Sequence, residues 1–326
     1  MKFPMKVLYI VNVMANKKNP SAEPFVKAQI DSIKKIGVDV SILNIKGNES
    51  KLNYFISILK LRKLLKEKRY DIIHGHYVYS GWIAALQRKA PAVVSFMGSD
   101  FHGSLKANGT LQLRGYIDIW LSKILQFFVK GIVVKSREMQ KGLITKKKSI
   151  VLPNGVDFDL FKEMPRDEAR KKLGLDLKKK YVLFAGSYKI LQKGFSILQK
   201  AIDILKVEGH NVELLLAYGL EQDAIPFYMN ASNVLGLASL REGSPNVIKE
   251  AMACNLPIVA TDVGDVREVI EGVRGCEIVK RDPLKFAKAI KKIIATVDRT
   301  NGRKTIDHLR IENVAQRLYR FYENLL

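Results

Sequence analysis

The chain has little of what marks a disulfide-stapled, zinc-binding or membrane-spanning protein. Two cysteines in 326 residues, Cys254 and Cys276, give neither a disulfide framework nor metal-ligand spacing, and a reducing cytoplasm fits best. No stretch reaches the roughly 20 apolar residues of a membrane span. No Gly-x-Gly-x-x-Gly follows the first apolar run, Val7–Val13, which argues against a dehydrogenase. Acidic residues are scarce, 32 against 55 Lys and Arg, for a net charge of +23. Zinc-finger, RNA-platform and basic-zipper signatures are absent, so nucleic acid is not the expected partner. Internal repeats and low-complexity tracts are absent too.

What is abundant is basic charge, unevenly spread. Residues 1–150 carry 27 Lys and Arg against 9 Asp and Glu, a net +18, while the rest of the chain adds +5. A basic first half points to a polyanionic surface, and an anionic membrane is favoured. Between Leu52 and Arg69, Tyr54, Phe55, Ile58, Leu59 and Leu61 sit among Lys60, Arg62, Lys63 and Lys66. Such a helix can turn an apolar stripe to a core and its cations to lipid headgroups. Trp120, Phe127 and Phe128 read either as core or as an interfacial anchor. Met1 to Ala15 could pass for a signal peptide. A short strand is preferred, because Asn12 interrupts the apolar run and no clear cleavage region follows.

Short β-branched runs alternate with helical patterns nearly throughout, which predicts parallel strands joined by crossover helices. Strands are expected near Val7–Val13, Asp39–Ile45, Asp71–His76, Ala92–Met97, Gly131–Lys135 and Ile150–Leu152, then near Tyr181–Ala185, Val212–Leu216, Val234–Ala238, Pro257–Thr261 and Glu277–Val279. The turn cluster Pro153-Asn154-Gly155 divides the two sets. The fold class expected is α/β, two doubly wound Rossmann-like domains facing a central cleft. One covers residues 1–153 and the second 154–310, and residues 311–326 form a final amphipathic helix.

The most specific stretch is Arg241-Glu242-Gly243-Ser244-Pro245-Asn246-Val247-Ile248-Lys249-Glu250-Ala251-Met252-Ala253-Cys254-Asn255-Leu256-Pro257. It reads as a loop, a helix and a stop. Ser244 is the expected N-cap, Pro245 suits the first helical position, and Asn255 can take the left-handed conformation that ends a helix. Val247, Ile248, Ala251 and Met252 make the expected buried stripe, while Asn246 and Glu250, four apart, share another face. A helix N-terminus beside Gly243 is suited to phosphate.

This run resembles the donor-binding signature of retaining glycosyltransferases of the two-domain B fold, specifically family 4, the group 1 glycosyl transferases. There two glutamates seven residues apart frame a nucleotide-sugar site. Ile258-Val259-Ala260-Thr261-Asp262-Val263-Gly264 resembles the strand and turn that follow. Gly186-Ser187-Tyr188-Lys189-Ile190-Leu191-Gln192-Lys193-Gly194 resembles the family's diphosphate loop, with Ser187 where an Arg is usual and Lys189 as a candidate substitute. Asp71-Ile72-Ile73-His74-Gly75-His76 resembles an Asp-x-x-His-x-His element near the acceptor. In Ser95-Phe96-Met97-Gly98-Ser99-Asp100, Met97 stands where the family has a sugar-contacting His, so Asp100 or His102 is expected to take that contact, the sugar is held differently, or activity is lost. Pro153-Asn154-Gly155-Val156-Asp157 resembles the family's junction. The resemblance also implies that the final helix, residues 311–326, packs back on the first domain. The loop from Asn12 to Pro20 lacks the paired glycines usual on the acceptor side.

The resemblance implies a metal-independent retaining hexosyltransferase, moving a sugar from a nucleoside diphosphate to a glycan or lipid-linked acceptor in cell-surface polysaccharide or glycolipid synthesis. It uses no cofactor and works in the cytoplasm or on the inner face of the plasma membrane. Glu242 and Lys193 are the implied catalytic residues. Gly186, Ser187, Lys189, Lys193, Glu242, Gly243, Ser244, Pro245, Asn246, Val247 and Glu250 bind donor, with Glu250 on the ribose. Asn12, His76, Met97, Asp100 and His102 lie on the acceptor side or touch the sugar. Rival readings are an inactive nucleotide-sugar binder of the same fold and a nucleotide-sugar epimerase.

Overall fold

Among the described residues eleven short strands are the scaffold, and all their pairings with one another are parallel. The computed structural model describes residues 4–14, 23–106 and 109–326. The chain divides into two compact units that meet in sequence at Gly155 and Val156 and again at Arg310 and Ile311.

The first unit holds β1 (Lys6–Val11), β2 (Asp39–Asn44), β3 (Ile72–His76), β4 (Ala92–Ser95), β5 (Gly131–Val134) and β6 (Lys148–Val151), in the order β2-β1-β3-β4-β5-β6. Strand residues alternate between two buried layers, as a sheet covered on both faces requires. Leu8, Ile10, Ile73, Val94 and Ile132 face the helices Leu52–Glu67, Tyr77–Ala85 and Leu113–Leu125. Val7, Tyr9, Val11, Ile72 and Val93 face the helices Pro24–Lys35 and Ile311–Glu323. Val314, Leu318 and Phe321 seat that last helix on the first unit, and Gly131 makes room for it, since an added Cβ would lie 2.6 Å from Leu325. The apolar run near the N-terminus is thus a strand, paired on both sides.

The second unit holds β7 (Lys180–Ala185), β8 (Val212–Ala217), β9 (Val234–Leu237), β10 (Ile258–Ala260) and β11 (Cys276–Ile278), in the order β11-β10-β9-β7-β8. The helices Phe195–Val207 and Pro283–Thr296 cover one face, through Leu198, Ile202, Phe286 and Ile290. Ile225–Ala231, Asn246–Ala253 and Val266–Ile270 cover the other. Cys254 is buried and Cys276 opens β11.

Two helices depart from expectation. The sequence pattern between β3 and β4 predicts a helix near Trp82–Arg88, and the observed one runs Tyr77–Ala85. Its start is fixed from a distance, by the Asp100 carboxylate accepting the Val78 amide at 3.1 Å. The helix Arg166–Leu173 was not expected, because it has hardly any apolar stripe. Its anchor is a buried guanidinium: Arg170 donates from Nε to the Ala231 carbonyl at 3.0 Å and from Nη2 to Asn233 Oδ1 at 2.9 Å.

Leu318 is fully buried between the last helix and the sheet. Leu318→Ala should cost about 2–5 kcal/mol, read as a lower urea midpoint for the first unit.

Candidate active site

In the second unit the strand order reverses between β7 and β9, so loops leaving their carboxyl ends border a crevice. The β7 loop runs from Gly186 into the tight turn Leu191–Lys193. Gly194 follows at φ +73, and an added Cβ there would lie 2.1 Å from the Ala238 carbonyl oxygen. Only glycine lets this loop come down onto the end of β9. Arg281 ties the same two segments, donating to the carbonyls of Ala238 at 2.9 Å and Leu191 at 3.4 Å. The result is an ion pair: Lys193 Nζ lies 2.6 Å from Glu242 Oε1, and Ser239 Oγ donates to the same oxygen at 2.8 Å.

The helix starts at Asn246 with Pro245 as its cap residue, and no side chain caps it. Ser244 does not cap, and Pro245 precedes the first helical residue. The Ser244 hydroxyl has another task, donating to Asp265 Oδ2 at 2.6 Å and accepting from Lys249 Nζ at 2.8 Å. Lys249 is buried on the helix, where desolvation lowers its pKa and the Asp265 and Glu250 carboxylates oppose that. Gly264, at φ +58, packs on the loop so closely that a Cβ would lie 2.5 Å from the Gly243 carbonyl oxygen. Asn255 ends the helix at φ +54, as its side chain allows. Val247 is only partly buried. Asn246 and Glu250 share a partly exposed face. Burial pushes the Glu250 carboxyl up to about 7 against the pull of Lys249, and Gln222 Nε2 reaches Glu250 Oε1 at 3.5 Å. At the carboxyl ends of β7 and β8, the rings of Tyr188 and Tyr218 meet edge to face at 5.4 Å.

The first unit reverses its order between β1 and β3. At their carboxyl ends lies a cavity of about 370 Å³ lined by Asn12, Glu23, Tyr54, Tyr77, Arg114 and Asp118, among others. Tyr54 donates to Asn12 Oδ1 at 2.8 Å. Glu23 and Tyr77 hydrogen-bond each other, and both hold left-handed backbones, φ 44 and φ 68, which non-glycine residues rarely adopt. Burial raises the Glu23 carboxyl to about 7, and its Oε2 is buried without a hydrogen-bond partner. Tyr79 donates to Asp118 Oδ1 at 2.7 Å.

Two family models match the chain: Glycosyltransferase Family 4 over residues 11–160, and Glycosyl transferases group 1 over residues 216–296. D-inositol 3-phosphate glycosyltransferase from Xylanimonas cellulosilytica is 26% identical, over 73% of this chain and 67% of its own. The capsular polysaccharide biosynthesis glycosyltransferase CapM from Staphylococcus aureus is 25% identical, over 89% of each chain. Among solved structures, Anabaena HepE in complex with UDP superposes with a TM-score of 0.72 at 18% identity, covering 98% of this chain and 100% of its own.

The chain belongs to the family 4, group 1 glycosyltransferases. In this glycosyltransferase the expected donor residues gather unevenly. Lys193, Glu242, Gly243 and Ser244 come together, with Glu250 on the adjoining helix. Lys189, the candidate substitute for the charge absent at Ser187, is exposed, with its Nζ 5.9 Å from the centroid of the Tyr188 ring. Asp100 borders the first-unit cavity, and its buried carboxylate is occupied in accepting the amides of Val78, Met97 and Gly98. Burial raises it to about 6. His76 is wholly buried and held neutral at neutral pH, its pKa pushed down to about 3 by desolvation and by Lys135. Its partner His74 bonds Tyr322 Oη at 2.5 Å and Ser95 Oγ at 2.7 Å. Met97 and His102 are partly buried, and the His102 ring packs on Phe101. Most of the acceptor-side loop between Asn12 and Pro20 lies outside the described residues. The sequence also holds one Asp-x-Asp spacing, Asp157 and Asp159, and the Asp157 carboxylate there caps a turn, accepting the amides of Asp159 at 2.9 Å and Leu160 at 3.0 Å.

Sequence reasoning missed Glu23, Lys249, Asp265 and Arg281. Lys249 is the instructive one, because a lysine beside a helical glutamate reads as a solvated pair.

The Glu250 carboxyl rises from its ordinary 4.5 to about 7. The folded state therefore holds a proton that the unfolded state has lost, and stability falls as pH climbs through that window. Glu250→Gln should leave the melting temperature unchanged near pH 4 and raise stability by about 2–3 kcal/mol at pH 8, in thermal melts without nucleotide.

Proposed function

We propose that the enzyme is a retaining, metal-independent transferase that takes a sugar from a nucleoside diphosphate and passes it to a hydroxyl on a glycan or lipid-linked acceptor. One observation carries the reading: the Lys193–Glu242 pair stands at the switch point of the second unit, beside the start of the helix Asn246–Ala253. A departing diphosphate needs positive charge, and Lys193 with first-turn amides supplies it without an ion. Glu242 then orients sugar hydroxyls, and Glu250 accepts from the ribose. The capsular polysaccharide role of CapM and the UDP held by HepE support a cell-surface product and a nucleotide donor. We assign the first-unit cavity to the acceptor, with Glu23 Oε2 as the oxygen that receives its hydroxyl. Work in the cytoplasm, at the inner face of the membrane, follows from such an acceptor and from the basic first half.

A second reading has a specific basis. Met97 and Ser187 replace two polar groups of the family pattern, which suits a sugar-nucleotide binder that does not turn over. Donor hydrolysis separates the two.

Lys193→Ala and Glu250→Ala should each weaken nucleoside diphosphate binding by about 1–3 kcal/mol, measured by calorimetry. Transfer should survive chelator and give a product with the donor's anomeric configuration. Unchanged affinity in both variants, or activity lost to chelator and restored by manganese, would overturn the donor reading.

Glu23→Gln tests the acceptor side. The acceptor KM should rise about tenfold or more while donor hydrolysis is unchanged, as expected for losing one charged hydrogen bond. An unaltered acceptor KM would remove Glu23 from the site.

A further inference from the structure

We infer that one layer of the first unit, the outer surface of the helices Leu52–Glu67 and Leu113–Leu125, is a docking face for an anionic lipid bilayer. This rests on the reading of the first-unit cavity as the acceptor site.

The apolar side chains there face water. On the helix Leu113–Leu125, Leu113, Tyr116, Ile117 and Trp120 follow at i, i+3, i+4 and i+7, one stripe, and are exposed by 78%, 58%, 48% and 62%. Gly115, Asp118, Ser122 and Leu125, on the opposite side, are buried. The polarity is inverted: the residues most suited to a core point outward, and an aspartate and a serine point in. Phe127 and Phe128 continue the exposed series just beyond the helix. On the neighbouring helix, Leu52, Phe55 and Leu59 are also exposed. Both helices cover the same face of the sheet, with Tyr77–Ala85 between them.

Charge selects the occupant. Lys60, Lys63 and Lys66 are exposed on the first helix, and Lys123 lies on the second beside the apolar stripe. Phe127 and Phe128 border a groove of about 480 Å³ that also holds Arg88, Lys130 and Lys147. Aromatic and aliphatic groups interleaved with lysines fit the boundary between acyl chains and anionic headgroups. A second copy of the chain would instead bring two basic halves together. No described helix is long and apolar enough to cross a membrane, so the contact is peripheral.

Position links this face to the reaction. Arg114 and Asp118, on the same helix as Trp120, line the acceptor cavity. A bilayer against the outer side of that helix brings a lipid-borne hydroxyl within one helix diameter of Glu23, about 10–12 Å.

The chain has two tryptophans, Trp82 and Trp120, so Trp82→Phe leaves Trp120 as a single reporter. The full chain is mixed with vesicles of phosphatidylglycerol and phosphatidylcholine, or of phosphatidylcholine alone, and read by co-sedimentation and by Trp120 emission. We expect a blue shift and sedimentation with anionic vesicles only, reversed by raised salt. Ile117→Ser with Trp120→Ser, and separately Lys63→Glu with Lys66→Glu and Lys123→Glu, should each lower partitioning on the order of tenfold. Nucleoside diphosphate binding should be unchanged, which separates a failure of the docking face from a failure of the donor site. Equal partitioning to neutral and anionic vesicles, or none to either, overturns the inference. So does a vesicle-free dimer that the Ile117 and Trp120 changes dissociate.

Discussion

The contact between Lys193 and Glu242 joins the two loops on which the proposed donor site depends. One loop leaves β7 and the other leaves β9, the strands flanking the point where the second sheet reverses direction. Nothing in the regular structure requires those loops to meet. They meet because Gly194 has no Cβ, because Arg281 bonds both backbones, and because Lys193 and Glu242 share one hydrogen-bonded geometry with Ser239. As an ion pair whose side chains are 35% and 14% exposed, it is worth on the order of 1 kcal/mol in stability. Its weight lies in position: a cation and a carboxylate are held a few ångströms apart before any substrate arrives, which lowers the cost of organising them later.

Behind that pair is a buried polar brace. Lys249, Ser244 and Asp265 link the start of the helix, the loop before it and the turn after β10. Removing one member would strand a charge in a desolvated place, which costs far more than the pair contributes when intact. The brace explains why the loop needs no N-cap serine. Its hydroxyl fixes the loop from below, and no side chain caps the start of the helix.

The first unit concentrates strain where the second concentrates charge. Glu23 and Tyr77 both hold backbones that favour glycine, and they hydrogen-bond each other beside β1 and β3. Such conformations cost about 1–3 kcal/mol each and persist only where the surroundings over-determine them. The surroundings here include the Asp100 carboxylate, which pins the first amide of the helix after Tyr77. Asp100 thus shapes the cavity by holding backbone.

Much was legible in the chain itself. Period-2 and period-3.6 patterns gave the parallel sheets and nearly all the helices, because burial on both faces writes itself into local apolar spacing. The spacing of Glu242 and Glu250 and the Lys193-Gly194 step marked the residues proposed to bind the donor, since phosphate recognition uses local backbone and short motifs. Other features depend on partners far away in sequence and leave no local trace. The helix Arg166–Leu173 is anchored by Arg170 on residues some sixty positions later. Lys249 and Asp265 look like surface charges until the fold buries them together. The stripe of Leu113, Ile117 and Trp120 has the helical spacing of a core face, and only packing decides that Asp118 turns inward while Trp120 meets solvent. Local sequence fixes which elements form, because backbone preference and apolar period are local. Tertiary structure decides which face of each is buried and which charges meet, because burial belongs to the whole fold.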